Sequence, residues 1–132
     1  MPTLFTKIIE GEIPCFKIAE NDKFLAFLDL NPNSDGHTLV VPKIEVDYIF
    51  DMEDELLSEM ILFAKSVAVK LKKSINCTRI GVSVIGLEVP HAHIHLIPIN
   101  SIKDMNFEIK KGGTNLDELR RIADKINANE NE

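Results

Sequence analysis

The sequence predicts an α+β fold: a mainly antiparallel sheet of about five strands, one long helix and a C-terminal helix. Three observations carry this. Several short segments rich in β-branched and aromatic residues are separated by polar turns. One stretch, from about Glu53 to Lys73, repeats its apolar residues at spacings of three and four. A chain of 132 residues, 45% of them hydrophobic, has the size for one domain around one core.

The elements follow in order. Leu4 to Ile9 reads as a helical turn with Thr3 as its N-cap, ended by Gly11. Phe16 to Ala19 and Phe24 to Leu28 read as strands paired around the polar turn Glu20-Asn21-Asp22-Lys23. Asn31-Pro32-Asn33-Ser34-Asp35-Gly36 is a loop. His37 to Val41 is a third strand, closed by Pro42, which cannot continue a central ladder. Leu56, Leu57, Met60, Phe63, Ala64, Val67 and Leu71 mark the apolar stripe of the long helix. Arg79 to Ile85 is a fourth strand, Gly86 to Pro90 a turn, and the run from His91 to Pro98 a fifth strand. No regular pattern is visible from Asn100 to Gly113. A last helix begins near Asn115, with Glu118 three residues on as a capping-box variant, and fades by Asn127. The polar tail, Asn127 to Glu132, reads as frayed. There is no internal repeat or linker, so the expectation is a single domain over 1–132, with a core at about 3–100 and a C-terminal extension at 101–132. A small sheet needs its edges covered, which makes an oligomer the expectation.

Composition narrows the function. The net charge of −6 argues against nucleic-acid polymers and anionic membranes as partners, though not against a nucleotide held by local donors. No apolar run reaches the roughly 18 to 20 residues that span a bilayer. Met1-Pro2-Thr3-Leu4 lacks the basic and apolar regions of a secretory signal. Cys15 and Cys77 have no metal-ligand spacing, which points to a reducing, cytoplasmic setting without a disulfide.

Three of the four histidines stand at alternate positions, in Pro90-His91-Ala92-His93-Ile94-His95-Leu96-Ile97-Pro98. In a strand this places His91, His93 and His95 on one face and Ala92, Ile94 and Leu96 on the other. Three imidazoles on one face are costly to desolvate unless each has a partner. One reading is attack on phosphorus, with one ring as nucleophile and its neighbours donating to the oxygens as charge develops. The central ring, His93, is flanked on both sides and is the assigned nucleophile; His91 and His95 orient or stabilise. A second reading is a zinc site using the same rings, with Glu88 nearby. A third is a buried polar ladder with satisfied rings.

The run His91-Ala92-His93-Ile94-His95-Leu96-Ile97 resembles the His-φ-His-φ-His-φ-φ signature (φ, apolar) of the histidine triad, or HIT, hydrolases and transferases. Leu4 to Pro14, Phe27 to Pro32 and Gly36 to Lys43 look like further blocks of that family, in family order. The resemblance covers residues 3 to about 99. It is strongest to the small Hint-like and bacterial branch, and implies a HIT-like fold, a homodimer and a purine nucleotide substrate, with adenosine expected. It implies that the middle histidine attacks the α-phosphorus, forms a nucleotidyl-histidine and releases a nucleoside monophosphate, with no metal and no cofactor required. By matching position, Asp29 would hold the ribose, Phe5, Ile8, Phe27 and Leu39 the base, and His37 would be the family's fourth histidine. Residue types fit: a carboxylate accepts from both ribose hydroxyls, and apolar groups hold a base.

The chain also departs from the family. Leu87 stands where many relatives carry glutamine after a glycine. Glu88 stands where the phosphoramidase branch has a serine that contacts phosphate and leaving group; a glutamate there could donate a proton if its pKa were raised, and would repel a phosphate if ionised. Thr3 and Thr6 occupy the positions of a zinc-binding Cys-x-x-Cys found in some bacterial relatives, so no such zinc site is expected. The leaving group is either an amine or a phosphate. A nucleotide-binding regulator with little turnover and a zinc-dependent hydrolase remain the alternatives.

Overall fold

The computed structural model describes residues 2–112 and 115–128. Helix α1 (Leu4–Ile9) leads into strands β1 (Lys17–Glu20), β2 (Phe24–Leu28) and β3 (Thr38–Pro42). A 3-10 turn at Ile49–Asp51 precedes the long helix α2 (Asp54–Ser74). Strands β4 (Arg79–Ser83) and β5 (Ile94–Ile99), a second 3-10 turn (Ile102–Met105) and helix α3 (Leu116–Ala128) complete the chain. The strands form one antiparallel sheet in the order β1-β2-β3-β5-β4. The predicted α+β class with five strands is therefore the observed one.

Local chemistry sets the boundaries. The Thr3 hydroxyl accepts from the Thr6 N–H, capping α1 as predicted. Asp54 and Glu55 in the first turn of α2 and Lys72 and Lys73 in the last complement its dipole. Asn115 caps α3 by accepting from the Glu118 N–H at 2.9 Å. Of the tail predicted to fray from Asn127 to Glu132, Asn127 and Ala128 instead belong to α3, where Asn127 donates to Lys17 O, and the rest lies outside the described residues.

The sheet has two unlike faces. On one, Phe24, Ala26, Leu28, Val40, Ile94 and Leu96 pack with Met60, Ala64, Val67 and Leu71 of α2 and Leu119, Ile122, Ala123 and Ile126 of α3. On the other, Leu25, Phe27, Leu39 and Val41 pack with Phe5 and Ile8 of α1. Alternation along β2 and β3 sorts neighbouring residues into these two clusters.

Two expectations are corrected. The histidine strand begins at Ile94, not at His91. Upstream, the His91 N–H donates to Val89 O and the Ala92 N–H to Val46 O, so this backbone bonds to loops instead of a neighbouring strand. Likewise β4 stops at Ser83, short of Ile85. The second 3-10 turn falls in the stretch from Asn100 to Gly113, which shows no regular pattern in sequence. Cys15 and Cys77 are free. Among the described residues, no helix is long and apolar enough to cross a membrane.

Candidate active site

The second face, beside α1, carries the histidines. The sheet register sets Phe27 opposite Leu39, Leu39 opposite His95 and His95 opposite Ser83, a line across four strands. The extended segment before β5 continues the array: the His93 ring lies 4.9 Å from His95 and 5.0 Å from Phe5. His37 enters from the loop before β3, its ring 5.2 Å from that of His95. Gly36 makes this approach feasible: its φ is +90°, and a Cβ there would sit 3.0 Å from Ile75 and 3.2 Å from Pro98. All four histidines are buried.

Hydrogen-bond partners assign each ring's proton. His93 Nδ1 faces its neighbour's carbonyl, His91 O, at 2.7 Å. A carbonyl only accepts, so Nδ1 carries the proton and Nε2 keeps its lone pair. His91 Nε2 donates to Pro42 O at 2.8 Å, and its Nδ1 meets the Thr3 hydroxyl at 2.7 Å. The Asn33 N–H donates to His37 Nδ1 at 2.9 Å. In neutral His37 the proton is then on Nε2, which donates to His95 Nδ1 at 2.9 Å. Neutral His95 consequently carries its proton on Nε2. The array therefore combines one ring with a free basic nitrogen and a neighbour whose outer nitrogen is a donor.

The Thr3 hydroxyl joins α1 to this network. Thr6 Oγ1 lies 3.1 Å from Thr3 Oγ1 and donates to Glu45, whose carboxylate also accepts from the Thr3 N–H. This clasp holds Phe5 edge-on to His91 and His93.

Burial governs protonation. His37 and His95 are each pushed down to about 3 by desolvation, with the charges of neighbouring histidines and Lys110 adding to it. Burial lowers His91 too, opposed by its bond to Pro42 O and by Glu45. Burial raises the Asp29 carboxyl, offset in part by the Asn31 N–H and by Lys110.

The structure brings together most of the residues singled out from sequence. His91, His93, His95, His37, Asp29, Phe5, Phe27 and Leu39 line one region. Asp29 Oδ2 is 3.6 Å from His37 Nε2. Ile8 packs at the margin of the Phe5–Phe27 cluster. Glu88 is exposed on the loop before the triad, with no hydrogen bond or ion pair among the described residues, although its charge is felt at Asp29. Sequence reading missed Pro42 O and Asn33, which fix two tautomers through the backbone, and Glu45. It also missed Phe107, whose ring stands 4.7 Å from His95, and Lys110 beside it. A lone aromatic in an otherwise polar stretch was the available signal for Phe107.

Among the described residues, the group able to offer three ligand atoms to a metal ion is Asp29, His37 and His95, all within 4.8 Å of one another. It differs from the row His91, His93 and His95: both His91 nitrogens are taken and one of His93 is. Three surface clefts of about 480 to 600 Å³ are lined by no histidine. The imidazole array is instead nearly closed over, with His93 7% and His95 8% exposed.

Fold and site define an α+β protein carrying a row of buried imidazoles, each with an assigned proton, opposite its two long helices. A model of the HIT domain matches residues 10–102, and the chain belongs to the HIT family. It is 35% identical over 116 residues to an uncharacterized HIT-like protein of Borreliella burgdorferi, covering 83% of this chain and 82% of that one. It is 38% identical over 96 residues to adenosine 5′-monophosphoramidase of Saccharomyces cerevisiae, covering 72% of this chain and 61% of the yeast protein. The crystal structure of a Hit-like protein involved in cell-cycle regulation from Bartonella henselae superposes with a TM-score of 0.81 at 31% identity, covering 96% of this chain and 95% of that one.

Proposed function

We propose that this protein is a nucleotide hydrolase or transferase that attacks the α-phosphorus of a nucleoside phosphoramidate or phosphoanhydride through His93, releasing a nucleoside monophosphate such as AMP. The observation that carries this is the 2.7 Å bond from His93 Nδ1 to His91 O. It directs the ring's lone pair to Nε2, the state a nucleophile needs. Similarity to the yeast phosphoramidase supports the substrate class.

In this reading His93 Nε2 forms a bond to phosphorus as the leaving group departs. His95 Nε2–H donates to a non-bridging oxygen, and the bond from His37 holds that ring in the donating tautomer. His91 holds His93 through its carbonyl and is itself fixed at both nitrogens. Water then attacks phosphorus and frees His93. Asp29 takes the ribose hydroxyls, and Phe5, Ile8, Phe27 and Leu39 take the base. The exposed edge strand β4, with Val82 60% exposed, supports a homodimer.

The test is AMP release from adenosine 5′-phosphoramidate, with a chelator present, by the wild type and by His93→Ala. Release that disappears in the variant is expected. Equal release by both would overturn the assignment. Release abolished by the chelator and restored by zinc would favour a metal at Asp29, His37 and His95. Nucleotide binding without release by either protein would favour a regulatory binding role.

A further inference from the structure

The segment after β5 returns to the histidines. The Lys111 N–H donates to Pro32 O at 3.0 Å and its ammonium pairs with Asp35, which fastens this segment to the 31–36 loop. Two side chains then face the array. The Phe107 ring stands 4.7 Å from His95 and 6.1 Å from His37. Lys110 Nζ lies 5.0 Å from the Phe107 centroid and donates to Asn33 Oδ1 at 2.9 Å.

Two independent routes thus place this ammonium beside the site. Asn33, which it bonds, gives its own N–H to His37, while Phe107, which it covers, packs on His95. Its charge acts on Asp29, His37 and His95. Lys110 is half-buried, and among the described residues it has no ion-pair partner. Lys111, next in the chain, has two. A half-buried cation that makes no ion pair among the described residues, beside buried imidazoles, is a site prepared for an anion.

We propose that Lys110 binds the leaving group of the reaction, and that the substrates are nucleotide phosphoanhydrides, whose departing phosphate carries negative charge. This rests on the His93 reading above. As His93 Nε2 forms its bond to the α-phosphorus, the bridging P–O bond breaks and its electron pair stays on the departing phosphate. That group leaves as an anion and needs no proton. Water then attacks phosphorus, the P–N bond returns its pair to Nε2, and the water's proton passes to solvent. The products are a nucleoside monophosphate and phosphate. An amine leaving group, by contrast, must gain a proton as it departs, and the Lys110 ammonium beside it would oppose that added positive charge.

The experiment compares kcat/KM on ADP and on adenosine 5′-phosphoramidate for the wild type, Lys110→Met and Lys110→Arg. The two substrates share a nucleoside and an α-phosphorus and differ in the leaving group. Loss of one charge-assisted hydrogen bond predicts that Lys110→Met lowers the ADP-to-phosphoramidate ratio about 10-fold or more, and that Lys110→Arg largely restores it. An unchanged ratio, whether both activities fall together or neither does, would overturn the proposal, since a tether between Lys110 and Asn33 would affect both substrates alike. Wild-type cleavage of the phosphoramidate alone would overturn it too, leaving the His93 reading intact. No cleavage of either substrate by the wild type would overturn both.

Discussion

Ile94 and His95 are consecutive residues of one strand, and they answer to different physics. Ile94 is fully buried between the sheet and helices α2 and α3, among side chains chosen by volume. His95, on the other face, is nearly as buried, yet it has a bond from His37, a ring contact from Phe107 and a neutral state held by desolvation. The helical face needs only apolar residues of the right shape. The histidine face needs each proton on a particular nitrogen, and obtains this from backbone groups at Pro42, Asn33 and His91 itself. Burial therefore sets packing on one face and protonation state on the other.

Substitutions should separate the two faces. His93→Ala is expected to lower turnover by about 10³-fold or more, as loss of a nucleophile does, with little change in thermal midpoint. Ile94→Ala is expected to do the reverse, costing about 2–5 kcal/mol of stability by urea unfolding while activity per folded molecule stays within a few-fold. If Ile94→Ala abolished turnover in fully folded protein, the division between the faces would fail.

Acid should weaken the histidine face selectively. The folded-state values of His37 and His95 lie near 3, below the ordinary value of 6.5, so the unfolded chain binds more protons in that interval. Their contribution to stability is complete above pH 6.5 and is lost as pH falls toward 3, with a slope of up to about 1.4 kcal/mol per pH unit for each ring. Asp29, raised by burial, acts in the opposite direction at the acid end, from its ordinary value of 3.8 upward. Urea midpoints measured at pH 7 and pH 5 should differ in the wild type, and His37→Gln should reduce that difference.

The smallest effect is expected at the clasp. Thr3→Val removes both the cap of α1 and the hydroxyl on His91. It should cost about 1–2 kcal/mol and lower kcat several-fold by loosening His91, measurable by thermal melts and steady-state rates. A stability loss with unchanged kcat would confine Thr3 to capping.

Much of this architecture was legible locally. The period of α2, the alternation of β2 and β3, and the opposed sides taken by His95 and Ile94 are properties of neighbouring residues, which periodicity reports. What was not legible depends on distant partners. The paired strand starts at Ile94 because Val46 and Val89 take the backbone before it. Pro42 and Asn33 act through main-chain atoms that no side-chain pattern reveals. Asp29 and His37 were singled out by family resemblance, since either alone reads as a turn or a strand end. Phe107 and Lys110 reach His95 through the fold of a stretch without periodicity.

The central claim, that His93 forms a covalent bond to phosphorus, is tested most directly by stereochemistry. A substrate with a single known configuration at the α-phosphorus, made chiral by sulfur and oxygen isotopes, is hydrolysed and the product's configuration determined. Two successive in-line displacements, first by His93 and then by water, predict overall retention. Inversion would mean that water attacks the substrate directly, and would contradict the role given to His93.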